Sequence, residues 1–235
     1  MTKKKLRVDV WSDIVCPWCA IGKRRLDAAL ADFPHRDAVE VVWRAFELDP
    51  SAPRVREGDQ ATHLAKKYGR TKAEAEAMIQ RVAETAARDG LDFRLLRARS
   101  GNTFDGHRLL HLALERGVQG AVKDRFFRAY MTEGLPIGER EVLVTLAAEA
   151  GLDPEEARAV LASDRYAKEV RDDQNAARAL GITGVPFFVF GGRLAVSGAQ
   201  EVAVLSQALR EAWARIPAGA GDAAEGATCG PDGCA

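Results

Sequence analysis

The chain is short of cysteine, of net charge and of long apolar runs. Only four of its 235 residues are cysteine. That excludes a disulfide-stapled secreted scaffold, which spreads more cysteines through a smaller chain. Lys plus Arg is 34 and Asp plus Glu is 34. This balance removes any global argument for nucleic acid or an anionic membrane surface as partner. No apolar run approaches the ~18 residues a membrane helix needs. The basic start at Lys3, Lys4 and Lys5 is followed by Arg7, Asp9 and Asp13, where a secretory signal needs an apolar stretch. The expectation is a cytoplasmic protein with neither nucleic-acid nor membrane partner. The composition itself, 47% hydrophobic and 29% charged, is that of a folded globular chain. At ~150 residues per domain it makes one large domain or two small ones. No internal repeat is present.

Alternation of Leu6, Val8 and Val10 with Arg7 and Asp9 predicts a strand over residues 6–11. Residues 12–15 are a short connection, and a helix runs from the following Cys-Pro-Trp-Cys to about residue 31. A second strand is predicted over residues 39–46. The next ~125 residues read as almost wholly helical, as judged by 3.6-residue periodicity. Within them, Thr71 and Glu74 have capping-box spacing, and Asp153-Pro154 begins another helix. Strands return at residues 186–190 and 193–197, joined by Gly191-Gly192, and a last helix covers residues 200–216. From Pro217 the chain is rich in Gly and Ala and reads as a flexible tail. The order predicts an α/β protein: one mixed sheet flanked by helices, with an all-helical insertion. Residues 1–50 and 176–216 form the sheet domain, 51–175 the insertion and 217–235 the tail.

The cysteines form two local pairs, Cys16 with Cys19 and Cys229 with Cys234. Cys16 stands where the first helix begins, with Pro17 at the first helical position. Unpaired N–H groups and the positive end of the helix dipole would stabilise a sulfur anion there, so a depressed thiol pKa is expected. Cys19 lies one turn along, on the same face and less exposed. Cys16 is assigned as the attacking thiol and Cys19 as the resolving thiol. The same spacing also suits half of a zinc site, for which Cys229 and Cys234 would have to supply the other ligands. The strand–turn–helix context favours thioredoxin-like redox chemistry over zinc.

Residues 8–19, Val-Asp-Val-Trp-Ser-Asp-Ile-Val-Cys-Pro-Trp-Cys, resemble the active-site strand and helix of the DsbA-type thioredoxin superfamily, and most closely its FrnE-like branch. Phe46-Glu47-Leu48-Asp49-Pro50, Asn102-Thr103-Phe104 with His107, residues 181–188 and Ser197-Gly198-Ala199-Gln200 are similar to that branch in the same order. The resemblance spans residues ~6 to 212. It implies a thioredoxin fold with an inserted helical domain and thiol–disulfide oxidoreductase or isomerase activity. It further implies that Pro186 is a cis-proline beside the cysteine pair, that backbone groups of Val185 are free to pair with an extended substrate, and that Asn102 and His107 line a groove between the domains. Some FrnE-like proteins are similar in carrying a second C-terminal cysteine pair. The superfamily also contains 2-hydroxychromene-2-carboxylate isomerase and kappa-class glutathione transferase. These share the architecture but usually lack the second cysteine.

Other signals are weaker. Trp18 either contacts substrate and tunes the thiols or covers the helix end. Lys23, Arg24 and Arg25 read as a solvated helix face. His107 and His111 have a metal-compatible i, i+4 spacing with no third ligand, so no metal is expected. Gly230-Pro231-Asp232-Gly233 is a tight turn that can bring Cys229 and Cys234 within disulfide reach, as an auxiliary redox pair or as one without catalytic part. The leading expectation is an enzyme acting on a protein or small-molecule thiol or disulfide. It needs no bound cofactor beyond the Cys16–Cys19 disulfide, with glutathione a candidate co-substrate. The alternative is a glutathione-dependent small-molecule isomerase or transferase. Monomer and homodimer are both open.

Overall fold

The structure, a computed structural model, describes residues 4–216; Cys229 and Cys234 lie outside the described residues. Strand β1 (Leu6–Ser12) runs into helix α1 (Pro17–Ala31), which returns the chain to strand β2 (Val39–Ala45) parallel to β1. A helical block follows: α2 (Gln60–Tyr68), α3 (Lys72–Arg88), α4 (Phe104–Glu115), α5 (Gln119–Arg128), α6 (Arg140–Glu149) and α7 (Pro154–Leu161). A π-helical turn, Ala129–Glu133, continues α5. Helix α8 (Ala167–Ala179) leads to β3 (Phe187–Phe190), β4 (Leu194–Ser197) and α9 (Val202–Arg215). The sheet order is β2-β1-β3-β4, with β3 antiparallel to both of its neighbours. This is the expected mixed sheet with a helical insertion.

Local chemistry accounts for most element ends. The Thr71 and Glu74 side chains make the reciprocal capping box at α3. Asp153 accepts from the N–H groups of Glu155 and Glu156 at the start of α7. Helix α2, which periodicity did not isolate, is capped by Asp59 accepting from the Thr62 N–H. Helix α8 runs across the expected domain limit at residue 175 and packs on both α4 and β2.

Among the described residues, two large apolar clusters and a smaller one around Trp11, Ala177 and Ile182 fill the interior. One lies beneath the sheet, where Leu6, Val8, Val10, Phe188 and Phe190 meet Leu26 and Ala29 of α1 and Leu205, Leu209 and Ala212 of α9. The other fills the helical block and includes Ile14, Cys16, Cys19 and Ala20. Helix α1 is thus covered on two sides. Burial of each large apolar side chain contributes about 1.5–3 kcal/mol.

That double cover overturns the solvated face expected of Lys23 and Arg25. They are buried, and only Arg24 is exposed. The Lys23 ammonium bridges Asp27 and Asp124, each at 2.8 Å. Arg25 donates to Asp89 and to the Ala199 carbonyl, both at 2.9 Å. The helical block covers the α1 face from which these long stems project, so their charges are neutralised by Asp27 of the same helix and by acids from other elements, Asp124 and Asp89.

Candidate active site

Strand β1 has a partner on each edge and is buried on both faces over its last residues, so a chain leaving its end emerges at the middle of the sheet rim. The Asp13–Val15 connection places Cys16 there, as the extended residue that caps α1, with Pro17 beginning the helix. Cys16 is 4% exposed and Cys19 is 0% exposed, both as free thiols. The Cys16 Sγ lies 3.6 Å from the Val185 carbonyl oxygen, which accepts its hydrogen bond. The Val185–Pro186 peptide bond is cis, as expected.

A hydrogen bond with the Cys19 sulfur, then burial, push the Cys16 thiol well above its ordinary value. The Cys19 N–H, at the start of the helix, pulls the other way. This corrects the depressed thiol expected from the helix terminus alone. In the dithiol form, a neighbouring sulfur and low exposure outweigh the helix end.

Pro186 is held against α1 by the absence of a side chain at Gly22. A Cβ there would stand 2.9 Å from Pro186 Cγ and 3.2 Å from Phe188 Cζ. Gly22→Ala gains about 0.5–1 kcal/mol of helix propensity against about 1–3 kcal/mol for overpacking. It should therefore lower the thermal midpoint and the activity together. A midpoint above that of the parent protein would show that the Pro186 loop yields freely.

Asp13, three residues before Cys16, is the buried hub of the site. One carboxylate oxygen accepts the Ile14 N–H at 2.7 Å and lies 3.2 Å from His107 Nε2; the other accepts the Leu48 N–H at 2.8 Å. Burial alone would raise its carboxyl. The hydrogen bond and charge of His107, the Leu48 N–H and Thr103 outweigh burial and hold it below the usual carboxylate value. Asp13 thereby ties together the cysteine loop, the segment after β2 and the start of α4. On α4, Gly106 leaves room for Ile14, whose Cδ1 would lie 2.5 Å from a Cβ at that position.

A cavity of about 330 Å³ opens beside Cys16. Cys16, Trp18 and Val185 line it from one part of the fold and Leu64 and Lys67 of α2 and Met78 and Val82 of α3 from another; Arg56, His63 and Tyr130 are also among its lining residues. Trp18 is 42% exposed and lines the cavity. Arg56 donates to Asp49 at 2.7 Å, and its other terminal nitrogen lies 3.0 Å from His63 Nδ1. Burial, then the Arg56 charge, lower the His63 pKa.

Asn102 and His107 do not line this cavity, which corrects the expectation for both. Asn102 accepts the Phe104 N–H at 2.9 Å and donates to the Pro50 carbonyl at 3.3 Å, pinning the chain after β2 to the start of α4. His107 is 1% exposed, beneath the cavity on Asp13. His107 and His111 diverge, the latter lying 2.9 Å from Asp173. Among the described residues no group of three or more His, Cys, Asp or Glu side chains is placed to hold a metal ion. Asp13, Arg56 and His63 were not singled out from sequence. For Asp13 the available signal was an acid embedded between an apolar strand and the cysteine pair.

The arrangement is a buried dithiol at the rim of a sheet, with one sulfur against a backbone carbonyl and a cavity at its side. The chain is similar over 98% of its length to a crystal structure of a probable DsbA oxidoreductase from Streptomyces coelicolor, at 49% identity, 98% coverage of that chain and a TM-score of 0.85. It is 29% identical over 210 residues to the uncharacterized protein YwbO of Bacillus subtilis strain 168, covering 88% of this chain and 96% of that one. The cytosolic disulfide reductase DsbM of Pseudomonas aeruginosa, solved with GSH, shares the fold at 22% identity and a TM-score of 0.56, with 88% of this chain and 96% of that one covered. Residues 7–210 match the DsbA-like thioredoxin domain, and the chain belongs to that family.

Proposed function

We propose that the protein is a thiol–disulfide oxidoreductase or isomerase of the FrnE-like branch, in which Cys16 attacks and Cys19 resolves. The observation that carries this reading is the placement of Cys16 at the start of α1, its Sγ against the Val185 carbonyl and its open side on the cavity. A Cys16 thiolate attacks a substrate disulfide and forms a mixed disulfide. Cys19 then attacks the Cys16 sulfur and releases the substrate thiol. The backbone beside Pro186 holds an extended substrate, and Trp18 covers it. Cys229 and Cys234 act as an auxiliary pair exchanging with the first. The cytoplasm is the proposed compartment, a reading supported by the fold shared with the cytosolic disulfide reductase DsbM. No helix among the described residues is long and apolar enough to cross a membrane.

The test is equilibration in graded glutathione buffers, alkylation of free thiols and peptide mass. Interconversion of Cys16–Cys19 between dithiol and disulfide at about −270 to −120 mV supports the reading. A pair that stays reduced throughout overturns it. Cys19→Ser should accumulate mixed disulfides at Cys16 and reduce turnover. Full turnover by this variant would remove the resolving role from Cys19.

One observation favours a second reading, a glutathione-dependent isomerase or transferase. The cavity beside Cys16 has the volume for a small molecule, and the structural relative DsbM is solved with GSH. The intact cysteine pair argues for the first reading. Glutathione binding without redox change of the pair would reverse the order.

A further inference from the structure

Arg56, His63 and Lys67 bring hydrogen-bond donors to the cavity beside Cys16 that the acids of the cavity leave unused. Arg56 stands in the segment before α2, and His63 and Lys67 lie one turn apart on the face of α2 that lines the cavity. The terminal nitrogens of Arg56 are engaged by Asp49 and His63. Its Nε is buried without a hydrogen-bond partner among the described residues. A guanidinium only donates, so His63 Nδ1 accepts and the proton of the neutral ring sits on Nε2. Lys67 forms no ion pair among the described residues, and its ammonium lies 5.8 Å from the centroid of the Tyr68 ring. The acids that line the cavity are Asp13 and Asp49. Asp13 is taken by Ile14, Leu48 and His107, and Asp49 by Ser51 and Arg56.

Most of the remaining lining is apolar and includes Trp18, Leu64, Met78 and Val82. Six large apolar side chains are exposed among the described residues, and three of them, Trp18, Leu48 and Tyr68, lie on this one cavity. Exposed apolar surface gathered in one cavity suits a hydrocarbon body better than a chain of peptide amides. Donors and a cation left without an acid suit an anion with paired oxygens. The volume of about 330 Å³ is that of a small-molecule site.

We propose that the cavity selects small thiols and disulfides whose apolar body ends in a carboxylate, received by Arg56, His63 and Lys67 while the sulfur meets Cys16. This names the substrate class of the oxidoreductase reading above and rests on it. The carboxylate accepts from the Arg56 Nε–H and the His63 Nε2–H, and Lys67 supplies the counter-charge. The apolar body replaces water against Trp18, Leu64, Met78 and Val82.

Dihydrolipoate and dihydrolipoamide test the assignment. They carry the same dithiol on the same hydrocarbon arm and differ in ending as a carboxylate or as a neutral amide. The full-length chain, with Cys229 and Cys234 changed to serine so that one pair reports, is oxidised and mixed with each compound. One substrate thiolate attacks the Cys16 sulfur, and Cys19 leaves reduced. The other substrate thiol then attacks the substrate sulfur bound to Cys16, a cyclic disulfide forms, and Cys16 leaves reduced. The dithiol is oxidised, the cysteine pair is reduced, and the thiol protons pass through solvent to the cysteines. The rate at low substrate concentration should favour dihydrolipoate by about five- to tenfold, the order of one charge-assisted contact.

Lys67 is exposed, so its replacement spares the core. Lys67→Gln should bring the ratio of the two rates below about twofold, and Lys67→Glu to about one or less. Lys66→Glu makes the same change of charge on the neighbouring residue, which is exposed and does not line the cavity, and should keep the parental ratio. Equal rates for the two compounds in the parent protein overturn the assignment. So does a parental ratio in Lys67→Glu, or an equal fall in Lys66→Glu, which would reduce the effect to the general field of the surface. Failure of both compounds to reduce the pair overturns the oxidoreductase reading, and the substrate class with it.

Discussion

Cys16→Ser should abolish reduction of insulin disulfides while leaving the fold intact. The hydroxyl is nearly the size of the thiol, and the site is 4% exposed, so packing against Ile14 and Ala20 is largely kept. The chemistry is lost, because a serine hydroxyl here has no adjacent base to ionise it and cannot form a mixed disulfide. The expected loss is at least about a thousandfold, the order that follows removal of an attacking group. Turbidity of reduced insulin, read beside a thermal melt, gives both quantities. Residual turnover within about tenfold of the parent would move the attacking role to another thiol.

Asp13→Ala should be the most destabilising single change at the site. The carboxylate is 1% exposed and serves three separate segments through Ile14, Leu48 and His107. Truncation leaves the N–H of buried Ile14, the partly buried N–H of Leu48 and the buried His107 imidazole without their acceptor, and breaking one side of such a buried pair costs about 3–5 kcal/mol. The sign with pH follows from the direction of the shift. The Asp13 carboxyl is held below its ordinary value of 3.8, so its contribution is complete above that value and disappears as pH falls through the lower folded value. Urea denaturation across the acid range should show the parent protein losing stability below about pH 4 and the variant losing less over the same interval. A loss under about 1 kcal/mol at neutral pH would mean that the three segments are held independently of Asp13.

Both results concern a site only partly legible in the sequence. Cys16, Cys19 and Pro17 are adjacent in the chain, and their relation is fixed by one turn of helix, so local spacing was enough to find them. The cis bond at Pro186 came from resemblance, since an X–Pro pair by itself favours trans. Asn102 and His107 were given to a groove between the domains, whereas neither lines the cavity beside Cys16. Their polar atoms are consumed by Phe104, Pro50 and Asp13. Sequence does not record which of two polar groups faces a cavity and which faces another buried group.

The same limit explains Lys23 and Arg25. In a sequence, a lysine four residues after Cys19 looks solvated, because a helix with one covered face exposes the other. Here the helical block covers a second face of α1, and whether a charge is then paired depends on acids from remote elements, Asp124 and Asp89. The sequence by itself determined the strands by alternation, the helix ends by their caps, the order of elements and the cysteine pair at the start of α1. These are set by interactions within a few residues. Only the tertiary structure decided that Asp13 joins three segments and that the cavity faces α2 and α3. Each of those depends on residues brought together from distant parts of the chain, where burial makes every polar group either find a partner or change its charge.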